Sequence, residues 1–379
     1  MSGTERVVVV GGGYAGVMAA NRMAGSRQVH TPLEVTLVDP AAGFTERIRL
    51  HQLGAGRRAS AAVPWTDVLN PRVRHLPARA LSIDADRRTI GLAGREPLDF
   101  DWLVYAVGSG ETSTSLLSVT NPEAARATRT AIGGLAPGSA VTVAGAGPTG
   151  VEVACAVALA RPDLRITIVS PSGPVHPLTG HPAVGRRLRR LGIAVRSGAV
   201  DPATGAVTTP EGSRPAAPAT IWTAGFAVPS LAADSRLPVA GDGRLLVDGT
   251  LTVPGHERIL GAGDAVAVAG PAGAHLRASC ATALPLGAHA ADTVLARSGG
   301  GDPSEIDLGY VLQCLDLGSG QGHVRFVRPD DSPRPWALAG RAGGWTKEQI
   351  CRMTVAWLAG EAAAPGSCRW QAGPPLPVG

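Results

Sequence analysis

The chain has 379 residues, 44% hydrophobic, 17% charged and only 4% aromatic, a globular composition long enough for two or three cores. Its net charge of +5 is carried almost wholly by arginine, since Lys347 is the only lysine, and GRRLRRLG at 185–192 reads as one solvated helix face, so nucleic acid is not expected as a partner. The five cysteines are odd in number and form no Cys-x-x-Cys pair, which argues against a disulfide framework or structural zinc, and no metal is expected.

No charged leader with an apolar core precedes the first strand, so a cytoplasmic protein is expected. Val7 to Val10 is a β-branched run of the kind buried on both faces of a parallel sheet. Gly11, Gly13 and Gly16 follow, Tyr14 to Met23 reads as a helix, and the strand LEVTLVD ends at Asp39. Strand, glycine turn, helix, strand and acid make up the dinucleotide fingerprint. Gly11 permits the tight turn, Gly13 admits pyrophosphate to the backbone, and Gly16 lets helix and strand pack closely. The helix N-terminus offers unpaired N–H groups to phosphate, and Asp39 offers a carboxylate to a ribose diol.

Residues 41–56 read as a loop entering a helix, 79–99 as a hairpin or small meander, and WLVYAVGS as a buried strand ending at Gly108. The fingerprint then returns: a strand over 140–143, Gly145, Gly147 and Gly150, a helix from about Thr149 to Ala160, and the strand LRITIVS. This second strand ends in Ser170 where the first ends in Asp39. HPAVGRRLRRLGIAVRSGAV reads as helix plus strand, ATIWTAGF as a further strand, and ERILGAGDAVAV as a strand followed by Gly263-Asp264. A linker at 298–305 leads to strand-like YVLQCLDL and GHVRFVR, a closing helix near Trp345 to Leu358, and a proline-rich tail, AGPPLPVG, expected to be extended or disordered. No stretch approaches the roughly 18 to 20 apolar residues of a membrane span.

This order of motifs resembles the pyridine nucleotide-disulfide oxidoreductase superfamily of flavoproteins, especially its branch related to type II NADH dehydrogenases. The resemblance covers roughly residues 5–295, and LAGRAGGWTKEQICR at 338–352 is similar to that branch's C-terminal end. It implies an α/β fold of two Rossmann-like domains, the second inserted in the first, plus a small C-terminal α+β section. The expected boundaries are 1–112 with 241–297 for FAD, 113–240 for an NAD(P)H-like unit, and 298–379 for the remainder. The implied FAD contacts are Gly11, Gly13, Tyr14, Ala15, Gly16, Asp39, Gly108, Gly263, Asp264 and Ala283. A helix N-terminus near Ala283 would face the flavin carbonyl edge. Gly145, Gly147 and Gly150 would hold NAD(P)H.

Several departures bear on chemistry. The redox-active cysteine pair of the disulfide reductases is missing, which argues against thiol–disulfide exchange. The branch's quinone-site glutamines are replaced in CATALPLG, 280–287, which puts quinone reduction in doubt. Ser170 lacks the charge that repels a 2′-phosphate, so NADPH stands slightly ahead of NADH, with a degenerate second site as the alternative. Candidate catalytic residues are Glu152, His51 and Arg49, the last two with Arg47 in TERIRLHQ, a segment that in the resembled family passes near the flavin ring, and Cys280; each has a plain structural reading beside it: a dipole-favoured helix acid, a surface helix, a buried thiol.

The leading expectation is an FAD-dependent oxidoreductase passing electrons between NAD(P)H, flavin and a small organic molecule. The alternatives are a flavin-dependent oxygenase or oxidase acting on an aromatic natural-product precursor, and an FAD-binding redox sensor without turnover. A small-molecule substrate is expected, a homodimer is left open, and the closing helix should pack on the protein through Ile350, Met353, Trp357 and Leu358 instead of inserting stably into a membrane.

Overall fold

The computed structural model describes residues 3–26, 31–110 and 114–375. In chain order the elements that place the site are β1 (Glu5–Val10), α1 (Tyr14–Gly25), β2 (Leu33–Val38), β3 (Arg74–Leu76), β4 (Trp102–Tyr105), β5 (Ala140–Ala144), α2 (Pro148–Ala160), β6 (Arg165–Ser170), β7 (Ala194–Ser197), β8 (Ala219–Trp222), β9 (His256–Gly261), α3 (Cys280–Ser298), β10 (Leu312–Asp316), β11 (Gly322–Val327), β12 (Pro333–Ala339) and α4 (Gly340–Ala363).

The first sheet runs β9-β4-β1-β2-β3, all parallel, with the short strand Thr252–Val253 antiparallel on β9 at one edge. Val7 to Val10 are all buried in one core with Met18 and Leu284 of the helices and Ile83, Ile90 and Leu92 of the antiparallel meander, which explains an uninterrupted valine run in place of alternation. The chain leaves after β4 and returns at β9 to pair directly with β4. Between these points lies a second parallel sheet, ordered β8-β5-β6-β7, with Leu117–Ser118 at the β8 edge. One Rossmann-like unit is thus inserted in another, the expected α/β architecture. The expected boundary at 112/113 and the last four residues of the proline-rich tail lie outside the described residues.

Each sheet organises its own hydrophobic core, and the C-terminal section joins both. Leu358 of α4 sits in the first core, and Leu315 of β10 in the second. Residues 80–99 form the expected antiparallel meander. Buried Arg22 of α1 clamps three late segments, through Glu361 at 2.6 Å, Asp292 at 2.7 Å and the Cys368 carbonyl at 2.9 Å.

Two elements depart from expectation. The closing helix starts at Gly340, five residues before Trp345, and runs to Ala363. Gly343 and Gly344 read as a break but are what lets the helix press against the backbone of Gly320 and Gly322, where any Cβ would collide. Its buried residues are Gly343, Cys351, Thr354, Leu358 and Glu361. Of the expected apolar face only Leu358 is fully buried, Ile350 reaches a cleft described below, Trp357 stacks edge-on against Trp370, and Met353 is 42% exposed. PRPWALA, not foreseen as a strand, forms β12, an exposed edge where proline needs no ladder partner. Among the described residues no helix is long and apolar enough to cross a membrane.

Candidate active site between two nucleotide cradles

The first glycine turn opens onto a cleft of about 850 Å³, which the second unit reaches through Pro148 and Thr149 at the start of α2, its own glycines lying just outside the lining. In the first, Gly11 has φ +107° and a Cβ there would strike the Ala106 carbonyl; a Cβ on Gly16 would strike Gly11 itself. Gly13, which caps α1, has nothing within 4 Å of its missing side chain. The α1 N-terminus has no side-chain cap and no acid in its first turn, leaving its N–H groups to the cleft. Asp39 accepts from the Gly12 N–H at 2.6 Å and the Ala41 N–H at 2.8 Å, which fixes its carboxylate at the rim. The second turn repeats this geometry: Gly145 has φ +112°, a Cβ on Gly150 would strike Gly145, and Gly147 is open.

Gly108, Gly263, Asp264, Tyr14, Ala15, Ala283 and Cys280 also line the cleft. Burial pushes the Asp264 carboxyl up, against the pull of Arg47 and hydrogen bonds from Ser279 and Ser109. Its Oδ1 is buried without a partner. α3 starts at Cys280 with no side-chain cap and no acid in its first turn, so its free N–H groups and Ala283 meet the far end of the cleft. An open glycine, two uncapped helix starts, a rim carboxylate and an orphaned buried oxygen in one cleft fit a dinucleotide laid from α1 to α3.

Beyond that line lies a charged cluster. Glu152, on α2 and 9% exposed, meets the Lys347 Nζ at 3.1 Å and accepts the Asp316 backbone N–H at 2.8 Å. Asp316 in turn holds His51 Nε2 at 3.1 Å and the Gln52 side-chain amide at 2.7 Å, while His51 Nδ1 stands 3.8 Å from Glu152. Burial would raise the Asp316 carboxyl, but these bonds hold it well below the usual carboxylate range. Burial would likewise depress the Lys347 ammonium, yet the Glu152 carboxylate beside it keeps it above its ordinary value, and three cysteines surround it.

Those cysteines are Cys280, Cys314 and Cys351. Burial pushes Cys280 up to about 11 and Cys351 up to about 12, and raises Cys314 although Lys347 hydrogen-bonds to it. At neutral pH all three stay thiols, not nucleophilic thiolates. Arg49 lies outside the cleft wall; Glu348 takes its guanidinium at 2.6 and 2.9 Å. Of Arg47 and Arg49, it is Arg47 that lines the cleft. Lys347 and Asp316 were missed as site residues. The signal available for Lys347 was its singularity: one lysine in a chain whose other strong cations are all arginine.

Two dinucleotide cradles, one opening onto the cleft and one adjoining it, with an ionisable cluster beyond them, define a two-nucleotide oxidoreductase of the flavoprotein type. The chain belongs to the pyridine nucleotide-disulphide oxidoreductase family, whose model matches residues 5–287, and within it is type II NADH dehydrogenase-like. It is 31% identical over 351 residues to an NADH dehydrogenase-like protein of Mycobacterium tuberculosis, covering 83% of this chain and 86% of that one. Among solved structures it resembles the sulfide:quinone oxidoreductase of Aquifex aeolicus (TM-score 0.76, 19% identity, 96% of this chain and 93% of the other). It also resembles NDH2 of Plasmodium falciparum in complex with NADH (TM-score 0.75, 14% identity, 96% and 99%). The family is one of flavin-dependent NAD(P)H oxidoreductases and implies FAD and NAD(P)H as cofactors.

Proposed function

We propose that this protein takes an electron pair from NAD(P)H through FAD and delivers it to a small organic acceptor, with the Glu152–Lys347 pair supplying the accompanying proton. The observation that carries this reading is that pair: it sits in the cleft lined by the first cradle and the start of α2, tied to each surrounding segment. Gly11, Gly13, Gly16 and the α1 N-terminus would bind the FAD pyrophosphate, Asp39 the adenosine ribose, and Asp264 the ribityl end, with Tyr14, Ala15, Gly108, Gly263 and Ala283 as close contacts. Gly145, Gly147 and Gly150 would bind the reductant. When bound, the flavin supplies the two-electron relay that no amino-acid side chain here provides.

The protein's own task is then proton delivery and water exclusion. Glu152 is held by the Asp316 N–H, and His51, fastened to Asp316, stands ready on its other side. A proton passed along His51, Glu152 and Lys347 would reach an acceptor gaining electrons. Arg49 is a positioning residue: it grips Glu348, next to Lys347 in sequence, and so fixes where the ammonium points. Cys280 contributes an uncharged wall. Ser170 supports acceptance of NADPH, since no carboxylate stands at the end of β6 to repel a 2′-phosphate.

Stopped-flow on the FAD-loaded protein tests this. In Glu152→Gln, turnover with an organic acceptor should fall about a hundredfold, far more than flavin reduction by NADH or NADPH. Equal loss in both half-reactions would remove the proton role. If neither nucleotide bleaches the wild-type flavin within minutes, the oxygenase or oxidase reading replaces this one where an aromatic substrate drives O₂ uptake, and the redox-sensor reading where none does.

A further inference from the structure

The wall of the cleft formed by the C-terminal sheet has polar capacity that nothing in the fold uses. His323 and Arg325 alternate on β11, so they share a face, with Leu315 and Gln313 of β10 directly opposite. All four line the cleft. His323 is 2% exposed, and neither ring nitrogen has a hydrogen-bond partner. Its ring packs 4.2 Å from that of His181, whose own Nδ1 is engaged by the Ala183 N–H.

Leaving two buried ring nitrogens without partners is unfavourable, so a fold keeps them only where something else meets them. Charge gives the same indication. Arg277 is paired with Asp331 at 2.6 Å, and Lys347 with Glu152 at 3.1 Å. Arg47 faces Asp264. Arg325 has no carboxylate partner among the described residues. This end of the cleft therefore holds one uncompensated cation beside an unsatisfied imidazole. Burial, His181 and Arg325 together pull His323 down to about 4, so at neutral pH it is an uncharged N–H donor.

We propose that Arg325 and His323 form an anion subsite, and that the acceptor is an organic monoanion whose carboxylate or equivalent acidic group they bind. This deepens the function proposed above and rests on it. The overall step is NAD(P)H + A⁻ + H⁺ → NAD(P)⁺ + AH₂⁻: the nucleotide loses two electrons and a proton, solvent supplies the second proton, and the acceptor is reduced with its acidic group intact. Gln313 is held to Asp331 at 3.0 Å and leaves the anion to the other two.

The test compares 1,4-naphthoquinone with its 2-sulfonate as acceptors for the FAD-loaded protein, and titrates oxidised protein with anthraquinone-2-sulfonate, read by the flavin spectrum. Arg325→Gln should lower the ratio of kcat/KM for sulfonate over neutral quinone about tenfold and weaken the titrated Kd by a similar factor. Arg325→Lys should restore most of both, and His323→Phe should weaken the Kd less than Arg325→Gln does. FAD content reports whether each variant has folded. A ratio and Kd unchanged in Arg325→Gln would overturn the subsite. The titration needs no turnover, so it still decides the question if NADH and NADPH fail to reduce the flavin, a result that would instead overturn the function proposed above.

Discussion

The two glycine cradles are nearly the same object in backbone and quite different in side chains. Gly11 and Gly145 share a left-handed turn, Gly16 and Gly150 the same tight approach, Gly13 and Gly147 the same open face. Differences start one turn into each helix. Position 18 is methionine, fully buried in the first core; the matching position 152 is glutamate, facing Lys347. At the end of the second strand, Asp39 presents its carboxylate at the rim, whereas the buried Ser170 hydroxyl accepts the Gly173 N–H at 3.0 Å to close a turn. The two turns share a backbone, while the side chains around them differ: a buried methionine and a rim carboxylate at one, a lysine-paired glutamate and a turn-closing serine at the other.

The largest effect should come from filling the open glycines. A Cβ at either position has no protein atom within 4 Å, so Gly13→Val and Gly147→Val should fold. The first should purify colourless, while the second should keep stoichiometric FAD yet lose bleaching by NADH and NADPH. Retained flavin in Gly13→Val would break the assignment of the first cradle. Next, giving the second helix the first helix's residue, Glu152→Met, strands Lys347 in the protein without its counter-charge. Breaking such a pair costs about 3–5 kcal/mol, to be read by chemical denaturation, and Met18→Leu should cost about 1 kcal/mol.

The acid-facing side of that cluster is also testable. Because the folded Asp316 carboxyl lies below its unfolded value, its stabilisation is complete above about pH 4 and disappears as pH falls from there through the folded value. Asp316→Ala should therefore cost about 2 kcal/mol at pH 7, with the gap to wild type narrowing below pH 4. A gap that widened on acidification would contradict the hydrogen-bonded carboxylate seen here. The smallest change is Ser170→Asp, which puts the first cradle's acid into the second. It should shift relative kcat/KM from NADPH toward NADH by about tenfold, near 1.4 kcal/mol. No shift would mean that the hydroxyl's turn keeps position 170 away from the ribose.

The cradles were legible in the sequence because their physics is local: a turn, a helix start and a strand end fall within about thirty residues. The insertion of one unit in the other came only from the family resemblance that the motif order carries. The charged cluster was not legible, because Glu152, Asp316 and Lys347 come from three distant stretches and no spacing rule links them. Arg49 and Arg47 show the limit at short range. Both are plausible from TERIRLHQ, and only the position of Glu348 shows that Arg49 is taken. His323 looked like any strand histidine until its two ring nitrogens were found without partners.

The return of the chain at β9 has a consequence for how the protein is made. β4 ends at Tyr105 and its neighbour β9 starts only at His256, about 150 residues later, or roughly 8–30 s of synthesis at ribosomal rates of about 5–20 residues per second. During that interval the inserted unit has its whole sheet and can fold, while the first sheet waits with an unpaired β4 edge and no α3 to close the flavin end. FAD capture is thus a late event in the life of each molecule. A nascent chain stalled near residue 250 should already hold a protease-resistant second unit while being unable to retain flavin.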